Sequence, residues 1–136
     1  MRHVLDTNAV SALMRGDPRV LARMKQVPRA SVVIPQPVLA ELAYGIARLP
    51  RSRRRRLLQE RLDLVRSEIG SVEWTDRVSD AFGKIKAELE RMGERIEDFD
   101  AAIAAHAVAT AAILVSANAH HRRRIHGLDV EDWAAE

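Results

Sequence analysis

Four side chains have the chemistry to hold a hard cation, and each stands where an α/β fold presents ligands. Asp6 closes the apolar pair Val4-Leu5. Glu41 lies at the flank of a helical stripe, Asp100 stands near the start of an almost wholly apolar helix, and Asn118 follows the apolar run Ile113-Leu114-Val115. In a parallel sheet the carboxyl ends of the strands and the starts of the following helices lie on one side, and ligands bind in the crevice beyond them. Carboxylate and amide oxygens suit Mg²⁺ or Mn²⁺, which take a few such ligands and complete their shells with water and substrate phosphate. Taken alone, Asp6 reads first as the N-cap of a helix beginning near Ala9, and its companions change that balance. Asp100 shares a stripe with Ile103, Ala104, Ala107 and Ala111, where an ionised carboxylate is costly unless paired, and no Lys or Arg occupies the neighbouring turn. Its partner must come from elsewhere, as a basic side chain, a backbone N–H array or a cation. Glu41 flanks the stripe Val38, Leu39, Leu42, Ile46 and Leu49, with Gly45 one turn further on. That pairing leaves room for something to approach, and equally fits a boundary glutamate beside a tolerated glycine.

Other chemistries drop out. The chain has no Gly-rich phosphate loop, no nucleophile elbow and no pair of histidines on one helix face. It has no cysteine, which excludes disulfides, thiolate-held clusters and Cys-type zinc sites and suits a reducing cytoplasm.

The elements that must position these residues alternate. Short strands are expected at Val4-Leu5, Ser31 to Ile34, Val72 to Trp74, Ile113 to Val115 and Leu128 to Val130. Helices are expected from Ala9 to Arg15, from Asp17-Pro18, from Pro37, from Arg51 to Ile69, after the Thr75-Asp76 cap, and from Phe99 to Ala111 after Asp98 as N-cap. This alternation predicts a three-layer α/β/α sandwich with a mostly parallel sheet, and 136 residues suit one domain over 1–136. The run from Ala101 to Val115 falls short of the roughly 20 apolar residues of a spanning helix, and too few apolar residues precede Asp6 for a signal-peptide core. A soluble, cytoplasmic protein is expected, with no membrane partner.

The formal charge is only +3, but arginine is clustered: Arg51 and Arg53 to Arg56 in one segment, Arg122 to Arg124 in another. Such patches suit a polyanion, and equally a solvated helix face.

In order along the chain, Leu5-Asp6-Thr7-Asn8, Glu41-Leu42-Ala43-Tyr44-Gly45, Asp100 with Ile103-Ala104-Ala105-His106-Ala107, Leu114-Val115-Ser116 with Asn118, and Gly127-Leu128 with Glu131-Asp132-Trp133 resemble the PIN-domain ribonucleases, specifically the VapC-type toxins. The resemblance covers essentially the whole chain. It implies a metal-dependent endoribonuclease acting on RNA, neutralised by a cognate VapB-type antitoxin, and a homodimer that joins the antitoxin in a hetero-oligomer. By position, Asp6, Glu41 and Asp100 match the family's metal-binding acids. The fourth position, often acidic, falls on Asn118, read as a contact through its amide oxygen. His121 and Arg122 depart from the acidic residue and Phe that these toxins often carry.

Thr7, Asn8 and Ser116 are candidates to orient the acids by hydrogen bonds, and equally plain caps. His106 lies well away from Asp100 on the helical wheel and reads as a packed, hydrogen-bonded structural histidine rather than a general base. His120 and His121 suit a phosphate-contacting loop or bare exposure. Aromatic residues make up only 4% of the chain, so recognition must rest on RNA shape and phosphates rather than broad base stacking. Two other classes fit the residues less well: a non-catalytic nucleic-acid-binding or regulatory protein of the same fold, and a small phosphatase built on Asp6. The latter would need a second acid two residues on, where Asn8 stands.

Overall fold

The computed structural model describes residues 1–118 and 124–134. Its elements run β1 (His3–Leu5), α1 (Thr7–Arg15), α2 (Pro18–Gln26), β2 (Val32–Pro35), α3 (Gln36–Ala47), α4 (Arg53–Glu68), β3 (Gly70–Val72), α5 (Asp76–Arg91), α6 (Asp98–Ala109), β4 (Ile113–Val115) and β5 (Asp129–Glu131), with one 3₁₀ turn at Arg29–Ser31. All five strands are parallel, in the order β3-β2-β1-β4-β5. The chain first steps one way from β1 through β2 to β3, then crosses back to lay β4 on the other side of β1. Right-handed crossovers in opposite directions place their helices on opposite faces, which gives the three layers.

Local chemistry sets most boundaries. Asp6 caps α1 by accepting from the Ala9 N–H at 2.8 Å, and Gly16, left-handed at φ 73°, ends it. Asp17 caps α2 with Pro18 in its first turn, Ser52 caps α4 and Thr75 caps α5. The sheet then decides what capping does not. Gly70 does not stop α4 in a left-handed turn. Ile69 is already extended and buried, and Gly70 pairs with Val33, so β3 lies two residues earlier than expected, at Gly70–Val72 instead of Val72 to Trp74. Pro35, opposite Val72, is the last residue of β2, so the strand runs one residue past Ile34. β5 is likewise one residue later than expected, because Ile113 pairs with Asp129 and Val115 with Glu131. At α6 the cap is Glu97, without a side-chain bond. Asp98 lies inside the first turn, its carboxylate taken by Lys86 Nζ at 2.6 Å. The same helix ends at Ala109 instead of Ala111, which adopts φ 52° in the turn that follows.

The core is one cluster around β1, β2 and β4. α6 is its central helix: residues 101–107 are all buried, and it packs on α5, α3, β1 and β4. Five of those seven are alanines, which let the helix approach the sheet closely and fix where its first turn, with Asp100, meets the strand ends. The far edge is closed by Trp133, 2% exposed. Its indole N–H donates to Glu131 Oε1 at 3.0 Å, its ring lies 5.5 Å from that of His3, and the Arg23 guanidinium stands 5.8 Å over it. Glu131 also accepts from Arg23 at 3.1 Å and lies 3.7 Å from His3 Nε2. Trp133→Ala should therefore leave a large cavity beneath a disrupted polar cluster and lower the unfolding free energy by about 3–5 kcal/mol, read from the shift of the urea midpoint.

Candidate functional site

The strand order reverses between β1 and β4, and the crevice at the carboxyl ends of those two strands is where an open parallel sheet binds ligands. Asp6 stands there, 6% exposed, its backbone N–H donating to the Val115 carbonyl at 3.1 Å. On the neighbouring strand the chain leaves β4 through Ser116, whose N–H donates to the Glu131 carbonyl, and reaches Asn118 two residues later. The strand register thus sets Asp6 and the Ser116–Asn118 turn side by side.

Glu41 reaches the same end from α3. Its Oε1 accepts from the Thr7 hydroxyl at 2.6 Å, so the residue following Asp6 holds it across 34 positions of sequence. Of the three candidate orienting residues, Thr7 binds an acid among the described residues. The Ser116 hydroxyl accepts from the Asn118 N–H at 3.0 Å and shapes its own turn, while Asn8 is exposed and bonds to none of the described acids. Next to Gly45 an added Cβ would meet nothing within 4 Å, so the space beside Glu41 is open and does not itself demand glycine.

Asp100, half-buried in the first turn of α6, lines a cavity of about 460 Å³ together with Asn118. The predicted residues are therefore brought together as a sequence of neighbours. Glu41 joins Thr7, Thr7 follows Asp6, Asp6 lies beside the β4 turn, and the turn shares a cavity with Asp100. They are not drawn into a finished chelate: among the described residues, no three His, Asp or Glu side chains form a group that could hold a metal ion as they stand. In kind, the donors suit a hard divalent cation. Among the described residues neither Glu41 nor Asp100 is in a salt bridge.

The wall beyond Asp100 carries Lys86, Arg95 and Arg124, none of which the helical and strand periodicities singled out for this site. Lys86 pairs with Asp98 twelve residues away, a contact between α5 and α6 that no local spacing announces. The Arg53 to Arg56 run forms the first turn of α4, where Arg55 donates to the Leu49 carbonyl at 3.2 Å. His120, His121, Arg122 and Arg123 lie outside the described residues.

His106 is packed as expected but not hydrogen-bonded as expected. It is 1% exposed, the Trp74 ring meets it edge-on at 5.8 Å, and its Nε2 has no hydrogen-bond partner. The reason is its setting: it lies in the all-buried stretch of α6 among alanines, where little can donate or accept. Burial pushes its pKa below the ordinary imidazole value.

The chain matches the PIN domain family over residues 3–126. It is 30% identical over 140 residues to "Ribonuclease VapC2" of Rickettsia felis, covering 98% of each chain, and 28% identical over 134 residues to "tRNA(fMet)-specific endonuclease VapC" of Shigella flexneri, covering 98% of this chain and 99% of that one. Its fold superposes with a TM-score of 0.87 on the crystal structure of VapBC2 from Rickettsia felis bound to a DNA fragment from their promoter. The two are 28% identical, over 98% of this chain and 99% of the other. The DNA-bound VapBC from Salmonella typhimurium gives the same TM-score at 25% identity, over 98% of both chains.

Burial of His106 has a consequence for stability. The folded protein resists protonating the imidazole, whereas the unfolded chain accepts a proton at about pH 6.5, so acid favours unfolding. Stability should be full above that pH and decline as pH falls below it. His3, lowered chiefly by burial with Glu131 opposing, adds in the same direction. Urea midpoints taken between about pH 7.5 and 5 should fall for the native chain and fall less steeply for His106→Phe.

Proposed function

The chain belongs to the PIN-domain family, among its VapC-type ribonucleases, and from that premise we propose that it hydrolyses RNA phosphodiester bonds with a divalent cation, Mg²⁺ or Mn²⁺, held by Asp6, Glu41 and Asp100. It acts as the toxin of a toxin–antitoxin pair, in the cytoplasm, neutralised by a VapB-type antitoxin. The observation that carries the reading is the linkage across the crevice: Glu41 tied to Thr7 at 2.6 Å, Asp6 beside the β4 turn, and Asn118 in one cavity with Asp100.

Asp6 and Asp100 supply charge from a strand end and a helix start, and Glu41 completes the set from α3. Thr7 keeps one Glu41 oxygen engaged and so turns the other toward a ligand. Asn118 puts a neutral amide at the position that the family resemblance gives as often acidic, which lowers the negative charge a cation must answer. When bound, the cation supplies a more acidic water and stabilises the charge that builds on the phosphate oxygens. Water adds at phosphorus and one P–O bond breaks, leaving a phosphate on one fragment and a hydroxyl on the other.

The assay is cleavage of RNA by the purified chain in Mg²⁺ or Mn²⁺, with and without chelator. Because one relative is named for tRNA(fMet), that tRNA is the first substrate to try. Activity should vanish in chelator. Asp6→Asn and Asp100→Asn should each abolish it, and the double variant should be no worse than either, since residues that act as a unit are not additive. Cleavage persisting in chelator or in both variants would overturn the metal–acid mechanism. No cleavage of any RNA with binding retained would favour a binding protein of the same fold, the reading that the absence of a finished chelate among the described residues leaves standing. Thr7→Val, which keeps the shape and removes the hydroxyl, should cost roughly 10- to 100-fold in activity or metal affinity, with the melting temperature little changed.

A further inference from the structure

The segment joining α5 to α6 forms a wall of the cavity that holds Asp100 and Asn118, and it is tied down at several points. Gly93, left-handed at φ 71°, turns the chain out of α5. Lys86 Nζ holds Asp98 at 2.6 Å, and that carboxylate keeps the ammonium protonated, with its pKa pushed up. Arg124 faces Glu94 at 3.5 Å through Nε and donates to the Arg95 carbonyl. Of the three cations that line the cavity among the described residues, two are thus spent on fixing the segment. The third, Arg95, rides on it with its side chain exposed and, among the described residues, in no ion pair.

We infer that Arg95, carried on this clamped segment beside Asp100, forms a subsite for the RNA phosphate next to the one being cleaved. The inference rests on the ribonuclease reading above and names a substrate-positioning residue within it. Arginine suits the task because its planar fork pairs two phosphate oxygens, and a fixed backbone lowers the ordering cost of that contact. Charge adds a condition. Among the described residues Glu90 and Glu97 also line the cavity, beside Asp98 and Asp100. These carboxylates repel a phosphate, and a divalent cation at Asp100 offsets them. Phosphate is therefore held more tightly at Arg95 once the cation is in place, which couples substrate grip to metal loading.

The test compares Arg95→Ala and Arg95→Lys with the native chain. Arg19→Ala on α2 controls for the change in net charge. Cleavage kinetics are run over a range of salt, and RNA binding is measured by fluorescence anisotropy with Ca²⁺ and again in chelator. Arg95→Ala should raise KM roughly tenfold and leave kcat within about twofold. It should also make the slope of log(kcat/KM) against log salt shallower by about 0.7 to 0.9, one phosphate contact's worth. Arg95→Lys should restore most of the salt slope and only part of the affinity, and Arg19→Ala should change neither. The binding loss should appear with Ca²⁺ and shrink in chelator. Unchanged KM and salt slope, a fall in kcat alone, or RNA binding unaffected while antitoxin binding weakens would each overturn the subsite. If the native chain cleaves no RNA, the ribonuclease reading fails by itself, and the anisotropy arm still decides whether Arg95 grips phosphate in a metal-linked way.

Discussion

The structure turns on the parallel pairing of β1 with β4. That contact joins residues more than a hundred positions apart, and it can form only after α5 and α6 carry the chain back across the sheet. It makes the strand order reverse, and the reversal opens the crevice in which Asp6 stands next to the turn leading to Asn118. A register shift of one residue would send these side chains to the other face. The buried alanines of α6 hold the arrangement from outside, because only a helix without bulk on its inner side can lie so close to β1 and β4 and still present Asp100 at their ends.

Asp6 serves two purposes that might have competed. One oxygen accepts from the Ala9 N–H and stabilises the start of α1, while the residue remains at the mouth of the crevice. A carboxylate that is both buried and charged needs compensation, and the positive end of the helix supplies part of it before any ligand arrives. Thr7 extends the arrangement by capturing Glu41, so a single helix start organises two acids. The opposite edge uses the same economy: Glu131 serves Arg23 and Trp133 at once and faces His3, and thereby closes the sheet near the end of the described chain.

The sequence carried much of this in plain view. Caps at Asp6, Asp17 and Thr75 and the left-handed stop at Gly16 marked helix ends to within a residue or two, because these are bonds between near neighbours. Asp100 announced itself as a charge on an apolar stripe. Where the reading slipped, a distant partner had intervened. Gly70, directly after the helix expected to Ile69, is a strand residue because Val33 pairs with it. Asp98 looked like a cap and was claimed by Lys86. His106 lies in the core as expected, but the hydrogen bond expected for it is missing at Nε2, in the all-buried stretch of α6.

By itself the sequence determined the α/β alternation, most of the helix termini and which residue types could bind a hard cation, since these follow from chemistry within a few positions of the chain. Tertiary structure alone decided that Glu41 belongs with Thr7, that Asp100 shares a cavity with Asn118, and that Arg95 stands beside them on a segment fixed by Lys86 and Arg124. Those are contacts between residues far apart in sequence. Their existence depends on strand register and helix packing, which no spacing along one chain encodes.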